Sequence, residues 1–359
     1  MCDTLVALDA ATGGHGTRFA KTSDRPVGEA QPLVWLAPRV DTRPVRATHV
    51  EVPPHPGPTF GVLGTGPAWQ WGLEMGVSTA GVAAGNEAIF TRLDPRSAPT
   101  ALTGLDLVRL VLERAGSAAE GVAHLVDLLE EPGQGGPCHE SGATYWSSFL
   151  VADRDDAFVV ETSGPDVAVL AVERSWAISN RTTIAAFDAE HRHPRQPVER
   201  TVDPRLAVTR DALAAEPVTA AALIAAQRDH RGVDGYSVCM HVPGDQETTA
   251  ALVADLAPER PLVRVALGSP CRSVYVPLRV GRAVGSPPDW ARWSAGLARL
   301  DPSARAALEA ELDHDGVVTG GADDDGWADE AWRRLEAAIE AGPAAGPTTS
   351  DARAGEGER

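Results

Sequence analysis

The second residue of this 359-residue chain is Cys2, and its side chain is small enough to permit removal of the initiator methionine, so the mature chain is expected to begin with cysteine. A free α-amino group titrates at roughly 7.7 to 8.0, close to working pH, and a thiol, at about 8.5, is the most nucleophilic ordinary side chain. A leading cysteine therefore holds both parts of an acyl transfer. Its amine takes the thiol proton and later delivers it to a leaving amine. Three further residues are marked by rarity. Of 32 basic side chains 31 are Arg and one is Lys21, and the only asparagines are Asn86 and Asn180. Codon usage that disfavours A/T-rich codons produces this pattern, and residues that persist against it are candidates for a required side chain.

The elements around Cys2 bring these candidates together. Thr4 to Leu8 is β-prone, and after Gly13-Gly14-His15-Gly16 the chain resumes with Thr17-Arg18-Phe19-Ala20-Lys21, which reads as a hairpin. A turn centred near residue 13 or 14 makes opposed positions sum to about 26 to 28, laying Cys2 beside Asp24 and Arg25.

The opening Cys2-Asp3-Thr4-Leu5-Val6-Ala7-Leu8 with Lys21-Thr22-Ser23-Asp24-Arg25-Pro26 resembles the secernins and related N-terminal-cysteine dipeptidases, members of the N-terminal nucleophile (Ntn) hydrolases. Trp71 to Gly76, Gly81 to Ala88, Ser179-Asn180-Arg181, Ser237 to His241 and Thr248-Thr249-Ala250 resemble the same family, so the likeness spans about residues 2 to 280. It implies an αββα sandwich with two mainly antiparallel sheets, and a cysteine-dependent hydrolase of dipeptides or similar small amides with no cofactor. It further implies that Cys2, Lys21, Asp24, Asn86 and Asn180 are catalytic, with Lys21 a basic group near the nucleophile, Asp24 orienting the α-ammonium and the two amides lining the site. An amide donor to a developing oxyanion typically lowers a barrier by about 3 to 4 kcal/mol. Thr22, Arg25 and Arg181 are expected at the substrate. Thr22 stands where the family usually has Asn and offers no amide N–H. Relatives of the choloylglycine type use a further arginine, for which Arg205 and Arg210 are unaligned candidates. The alternatives are an inactive secernin-like scaffold and an Ntn amidase or acyltransferase acting on a non-peptide amide. Class II glutamine amidotransferases usually begin Cys-Gly, and Asp3 argues against them.

The remaining pattern is α+β. Glu74-Met75-Gly76 and Ala80 to Gly85 suggest strands at close backbone approach, Thr103 an N-cap, and Leu105 to Leu112 and Val122 to Leu129 two helices. Residues 147 to 179 read as a meander of three or four strands, 187 to 204 as an exposed loop and 205 to 228 as helical. Further strands are expected at Ser237 to Val242, Thr248 to Ala254, Val263 to Leu267 and Ser273 to Tyr275. Residues 1–285 form the Ntn-like domain in this reading, 286–340 a helical extension and 341–359 a disordered tail.

Several other signals carry less. Cys239 and His241 lie two apart on an expected strand, facing one way as paired metal ligands do, but two further ligands are not evident, so a packed position and no metal are expected. Cys138-His139-Glu140 reads as a loop contact or lid over substrate. Glu311, Asp313 and Asp315 before Gly316 resemble a calcium loop, but Ala322 occupies its twelfth position, and Asp323-Asp324-Asp325 is a solvated charge run. Gly64 and Gly66 lack the setting of a dinucleotide site.

Composition bounds the partners. Apolar residues make up 43% and no stretch is long enough to span a bilayer. The net charge of −18 disfavours nucleic acid and anionic lipid, although residues 301 to 359, with fifteen acids and five arginines, carry more than half of it. Four scattered cysteines without CxxC spacing, and an N-terminus without a basic-then-apolar signal, read as a cytoplasmic protein with reduced thiols. A small peptide or amide is the expected partner, and a homo-oligomer stays open.

Overall fold

The computed structural model describes residues 1–196, 198–256, 259–282, 284 and 290–341. Strands β1 (Cys2–Ala7) and β2 (Arg18–Pro26) are joined through the single helical turn α1 (Asp9–Thr12). There follow β3 (Leu33–Leu36), the small ribbon β4 (Val45–Arg46) and β5 (Glu51–Val52), then β6 (Val62–Thr65), β7 (Met75–Ser78) and β8 (Ala83–Ile89). Helices α2 (Gly104–Arg114) and α3 (Ala118–Glu130) precede β9 (Trp146–Ala152), β10 (Ala157–Ser163), β11 (Asp166–Ala171) and β12 (Ser175–Ile178). The helical stretch α4 (Ala185–His191), α5 (Val198–Thr201), α6 (Asp203–Ala214) and α7 (Ala220–Gln227) leads to β13 (His241–Val242), β14 (Gln246–Asp255), β15 (Leu262–Leu267) and β16 (Val276–Arg279). Helices α8 (Trp290–Arg299), α9 (Pro302–Asp313) and α10 (Trp327–Ala341) end the described chain.

These strands form two antiparallel sheets. One runs β12-β1-β2-β14-β15-β16 with β13 on β14, and the other β11-β10-β9-β8-β7-β6-β3. Strand alternation divides the core into three layers. Val6, Phe19, Leu63, Met75, Leu150 and Leu252 meet between the sheets. Leu107, Val111 and Leu125 of α2 and α3 cover Ala84, Phe149 and Val151 of the second sheet. Leu206, Leu213 and Leu223 of α6 and α7 cover Leu5, Ala20 and Val253 of the first. The expected αββα sandwich is the result. Each fully buried Leu, Val or Phe contributes about 1.5 to 3 kcal/mol, and these layers offset the cost of the charged groups enclosed at one end.

Local sequence explains where the elements begin. Thr103 is the N-cap of α2 in a reciprocal box: its hydroxyl accepts from Asp106 N at 3.1 Å and its own N–H donates to the Asp106 carboxylate at 3.0 Å. Gly64 and Gly76 face each other across β6 and β7, where a side chain on either would strike the other strand's backbone. Gly64 thus serves strand packing.

The structure differs from the sequence reading in four places. The α1 turn shortens the hairpin loop, so paired positions sum to 25 and Cys2 lies opposite Ser23, while Asp24 N donates to Met1 O at 2.8 Å. The meander is three strands, because β12 crosses to the other sheet and pairs with β1. Residues 187 to 204 are not an exposed loop: they hold most of α4, all of α5 and the start of α6, with Phe187 and Val198 buried. Ser237 to Met240 and Ser273 to Tyr275 lie just outside β13 and β16.

Helices α8 to α10 continue the inter-sheet core: Trp293 and Trp332 pack edge to face at 5.2 Å, contiguous with Val265 and Val276. The acidic positions there are paired with arginine, Asp313 with Arg264, Glu311 and Asp315 with Arg334, and Asp323 with Arg260 and Arg279. The tail from residue 342 onward lies outside the described residues. No described helix is long and apolar enough to cross a membrane.

Candidate active site

Cys2 begins β1, and strand alternation gives Cys2 and Asp3 opposite surroundings. Cys2 and Thr4 face the space between the sheets, where the Cys2 Sγ lies 4.0 Å from Glu74 Oε2 and Thr4 bonds the Glu87 carboxylate. Asp3 faces α6. On the paired strand Lys21 and Arg25 share the thiol's side, and Thr22 and Asp24 share Asp3's side.

On the thiol side, Lys21 Nζ lies 3.4 Å from Glu87 Oε1 and 4.0 Å from Glu74 Oε2. Arg25 reaches Glu74 at 3.2 Å and also pairs with Glu29. Lys21, Arg25, Glu74 and Glu87 are almost fully enclosed. Gly85 makes room for the lysine, since a Cβ there would fall 2.4 Å from Lys21 Cδ. Burial works against the Lys21 charge, but Cys2 in its thiolate form and the Glu87 and Glu74 carboxylates outweigh it and hold its pKa above the ordinary value. Burial raises the Cys2 thiol, and Lys21 is the main opposing influence. A thiol held up in this way is protonated at rest and needs a base to become a nucleophile.

On the other side, main-chain anchors fix residue 2. Cys2 N donates to Asn180 Oδ1 at 2.8 Å, and Cys2 O accepts from Arg205 Nη2 at 2.7 Å. Arg205 also donates to Asp3 at 2.8 and 3.0 Å and to Asn180 Oδ1 at 3.1 Å, and lies 3.8 Å from Asp24 Oδ2. Ser179 Oγ donates to the second Asp3 oxygen at 2.6 Å, and Thr248 Oγ1 to Asp24 Oδ1 at 2.6 Å. Asp24 Oδ2 is buried with no hydrogen-bond partner among the described residues. Met1 continues the pairing with β2, its ammonium donating to Asp24 O at 3.1 Å and to Gln246 Oε1 at 2.9 Å.

The loop before β9 closes over this end of the sandwich. Cys138 O accepts from Gln70 at 2.8 Å and from Arg25 at 3.3 Å. Burial pushes the Cys138 thiol up to about 12, which leaves it inert, and burial with the neighbouring Arg25 pushes His139 down to about 4, so that it is neutral. Beside the loop is a cleft of about 670 Å3 lined by Thr91, Arg92, Thr144, His193 and Gln196, and from its wall Gln196 Nε2 donates to Asn180 O at 2.6 Å.

Thus Cys2, Lys21, Asp24, Asn180 and Arg25 converge, and three other expected residues do not. Asn86 lies between Gly85 and Glu87, which face Lys21, so alternation turns its side chain towards α2, where it donates to Ser147 Oγ at 3.3 Å. Thr22 faces the α6–α7 layer with Ala20 and Ala251, away from the thiol. Arg181 is engaged by Asp203 at 2.6 Å and Asp188 at 3.4 Å. Of the two candidate arginines, Arg205 is buried at Cys2 and Arg210 is exposed. Glu74, Glu87 and Thr248 are neighbours of the site that the sequence reading does not name; each stands inside a family-like segment, which is the signal the sequence offers for them.

No protein-family model matches this sequence. Solved structures share its fold. Penicillin V acylase from Agrobacterium tumefaciens aligns with a TM-score of 0.51 at 13% identity over 77% of this chain and 86% of that one. A mutant conjugated bile acid hydrolase from Clostridium perfringens aligns with a TM-score of 0.51 at 13% identity over 78% and 92%. The likeness is one of fold, the αββα architecture of N-terminal nucleophile hydrolases.

Proposed function

We propose that this protein is an Ntn-type cysteine hydrolase of dipeptides or similarly small amides. The observation that carries the reading is the position of Cys2 at the start of β1, its thiol between the sheets beside Lys21 and its main-chain nitrogen held by Asn180. Removal of Met1 turns that nitrogen into an α-amine. The amine takes the Sγ proton, the thiolate attacks the carbonyl carbon, and the resulting ammonium protonates the leaving nitrogen as the C–N bond breaks. Water, activated by the same amine, then cleaves the thioester and releases the acid.

The other residues hold charge and geometry. Lys21 stays cationic and favours the thiolate. Asn180 Nδ2 spends one N–H on Ala88 O at 2.9 Å, leaving the second for the oxyanion. The Asp24 oxygen that lacks a hydrogen bond gains the α-ammonium as a donor. Asn86 drops out as a direct donor and instead supports the start of α2. With Cys2 only 5% exposed under the Cys138 loop, a small substrate is favoured over a polypeptide.

The test is hydrolysis of a panel of dipeptides and simple acyl amides by protein whose N-terminal residue is confirmed by mass. Turnover of dipeptides supports the reading. Turnover of acyl amides alone moves it to a non-peptide amidase, as the names of the two structural relatives suggest, and no turnover with a free Cys2 refutes it in favour of a scaffold.

A pH dependence follows. Burial pushes the Asp24 carboxyl up to about 6 against the pull of the Met1 ammonium and Arg205, and in the mature chain the Cys2 ammonium takes the place of the first. Below about pH 6 the residue takes up a proton and releases the α-ammonium, so kcat/KM is expected to fall about tenfold per pH unit. Asp24→Asn should be slow throughout and lack this limb. Stability runs the other way. A carboxyl raised from 3.8 to about 6 contributes fully below its unfolded value and loses that contribution as pH rises through about 6. The change is about 3 kcal/mol, read from denaturation of the two forms across pH.

A further inference from the structure

His230, Cys239, His241 and Cys271 come from three separate places: the segment that follows α7, the residues around the start of β13, and the short turn Pro270–Arg272 that leads to β16. Their ligand atoms all lie within 4.8 Å of one another. His241 Nε2 is 3.5 Å from Cys239 Sγ and 3.2 Å from Cys271 Sγ, and the His230 and His241 rings are 5.2 Å apart. The two ligands that sequence spacing alone could not find are supplied by the fold.

We infer that these four side chains form a structural zinc site. Tetrahedral zinc with bonds of about 2.3 Å to sulfur and 2.0 to 2.1 Å to nitrogen sets its ligands about 3.3 to 3.8 Å apart, and the observed separations need only small side-chain adjustment to reach that shape. Donor chemistry agrees: two thiolates and two neutral imidazoles, with no carboxylate or carbonyl among them, select zinc over calcium or magnesium. The two thiolates also cancel the ion's charge, so no further counterion is required.

The surroundings support a fixed cage. Cys239 N donates to Asp229 O at 3.0 Å, Ser237 Oγ to Cys239 O at 2.6 Å, and Arg305 to Cys271 O at 3.4 Å, which orient the ligand-bearing backbone. With four protein ligands the site has no open position for substrate, so its role is to staple the α7–β13 connection to the β15–β16 turn. The stapled segment reaches the other centre through Met240, whose N–H donates to Thr248 Oγ1 at 2.8 Å while Thr248 holds Asp24. The inference stands apart from the proposed hydrolysis.

The experiment measures metal content and does not depend on turnover. Reduced full-length protein is given equimolar Zn2+, dialysed against metal-free buffer and analysed by elemental mass spectrometry. A second sample receives Co2+ and is examined by absorption. Stoichiometric retained zinc and the intense d–d and thiolate-to-cobalt bands of a tetrahedral thiolate site are expected. Cys271→Ser and His230→Ala should each lower retained zinc at least tenfold. The second variant alters an exposed ring, so it tests the site even if the first folds poorly. Zinc lost on dialysis, zinc content equal in wild type and both variants, or a Cys239–Cys271 disulfide in freshly thiol-trapped protein would each overturn the inference.

Discussion

Cys2→Ala is expected to lose on the order of 10^4- to 10^6-fold in kcat/KM on whichever amide the wild type cleaves, because in the proposed mechanism its thiol forms the acyl intermediate. The fold should survive. Residue 2 is held by its main chain, through Asn180 on its nitrogen and Arg205 on its oxygen. Losing one buried sulfur costs about 1 kcal/mol by cavity formation, a shift of a few degrees in Tm. Wild-type rates in the variant would end the proposal. Protein that retains Met1 should behave like the variant, because the nitrogen of Cys2 is then an amide and cannot act as base. Mass analysis beside the assay separates the two causes.

What the sequence showed and what it hid follow from the range of each interaction. The capped start of α2 was legible because Thr103 and Asp106 act within one turn. Cys2 and Lys21 were legible because a hairpin brings near neighbours together, although the register slipped by one to three positions when α1 shortened the loop. Arg205 could be named but not placed, since it reaches Cys2 from more than 200 residues away on a helix of another layer. Asn86 shows the opposite failure. Its rarity and family-like segment marked it, yet a strand sends adjacent side chains to opposite faces, and which face holds the site is decided by Gly85 and Glu87 meeting Lys21 across the sandwich. The four-ligand cluster was hidden for the same reason as Arg205: only Cys239 and His241 are close in sequence.

Arg205→Met is expected to be the most destabilising single change at this end of the molecule, by about 3 to 5 kcal/mol in denaturant unfolding. The guanidinium is fully enclosed and serves Asp3, Asp24, Asn180 and the carbonyl of Cys2 together. Opposing burial, the Asp3 and Asp24 charges hold its pKa above the ordinary value, so it remains charged at any working pH. Without it two enclosed carboxylates lose their common cation. The loss should therefore be largest near neutral pH and shrink as pH falls below about 6, where Asp24 takes up a proton. Adding Asp3→Asn removes one of the stranded charges and should recover part of the loss, giving a coupling of about 1 to 3 kcal/mol in the double-mutant cycle. Additive effects would mean that the pair does not act as a unit. The cycle also separates stability from chemistry. If Arg205 positions the nucleophile through Asn180 and the main chain of residue 2, the double variant regains stability while kcat stays low and KM changes little. An arginine that served the fold alone would see both recover together.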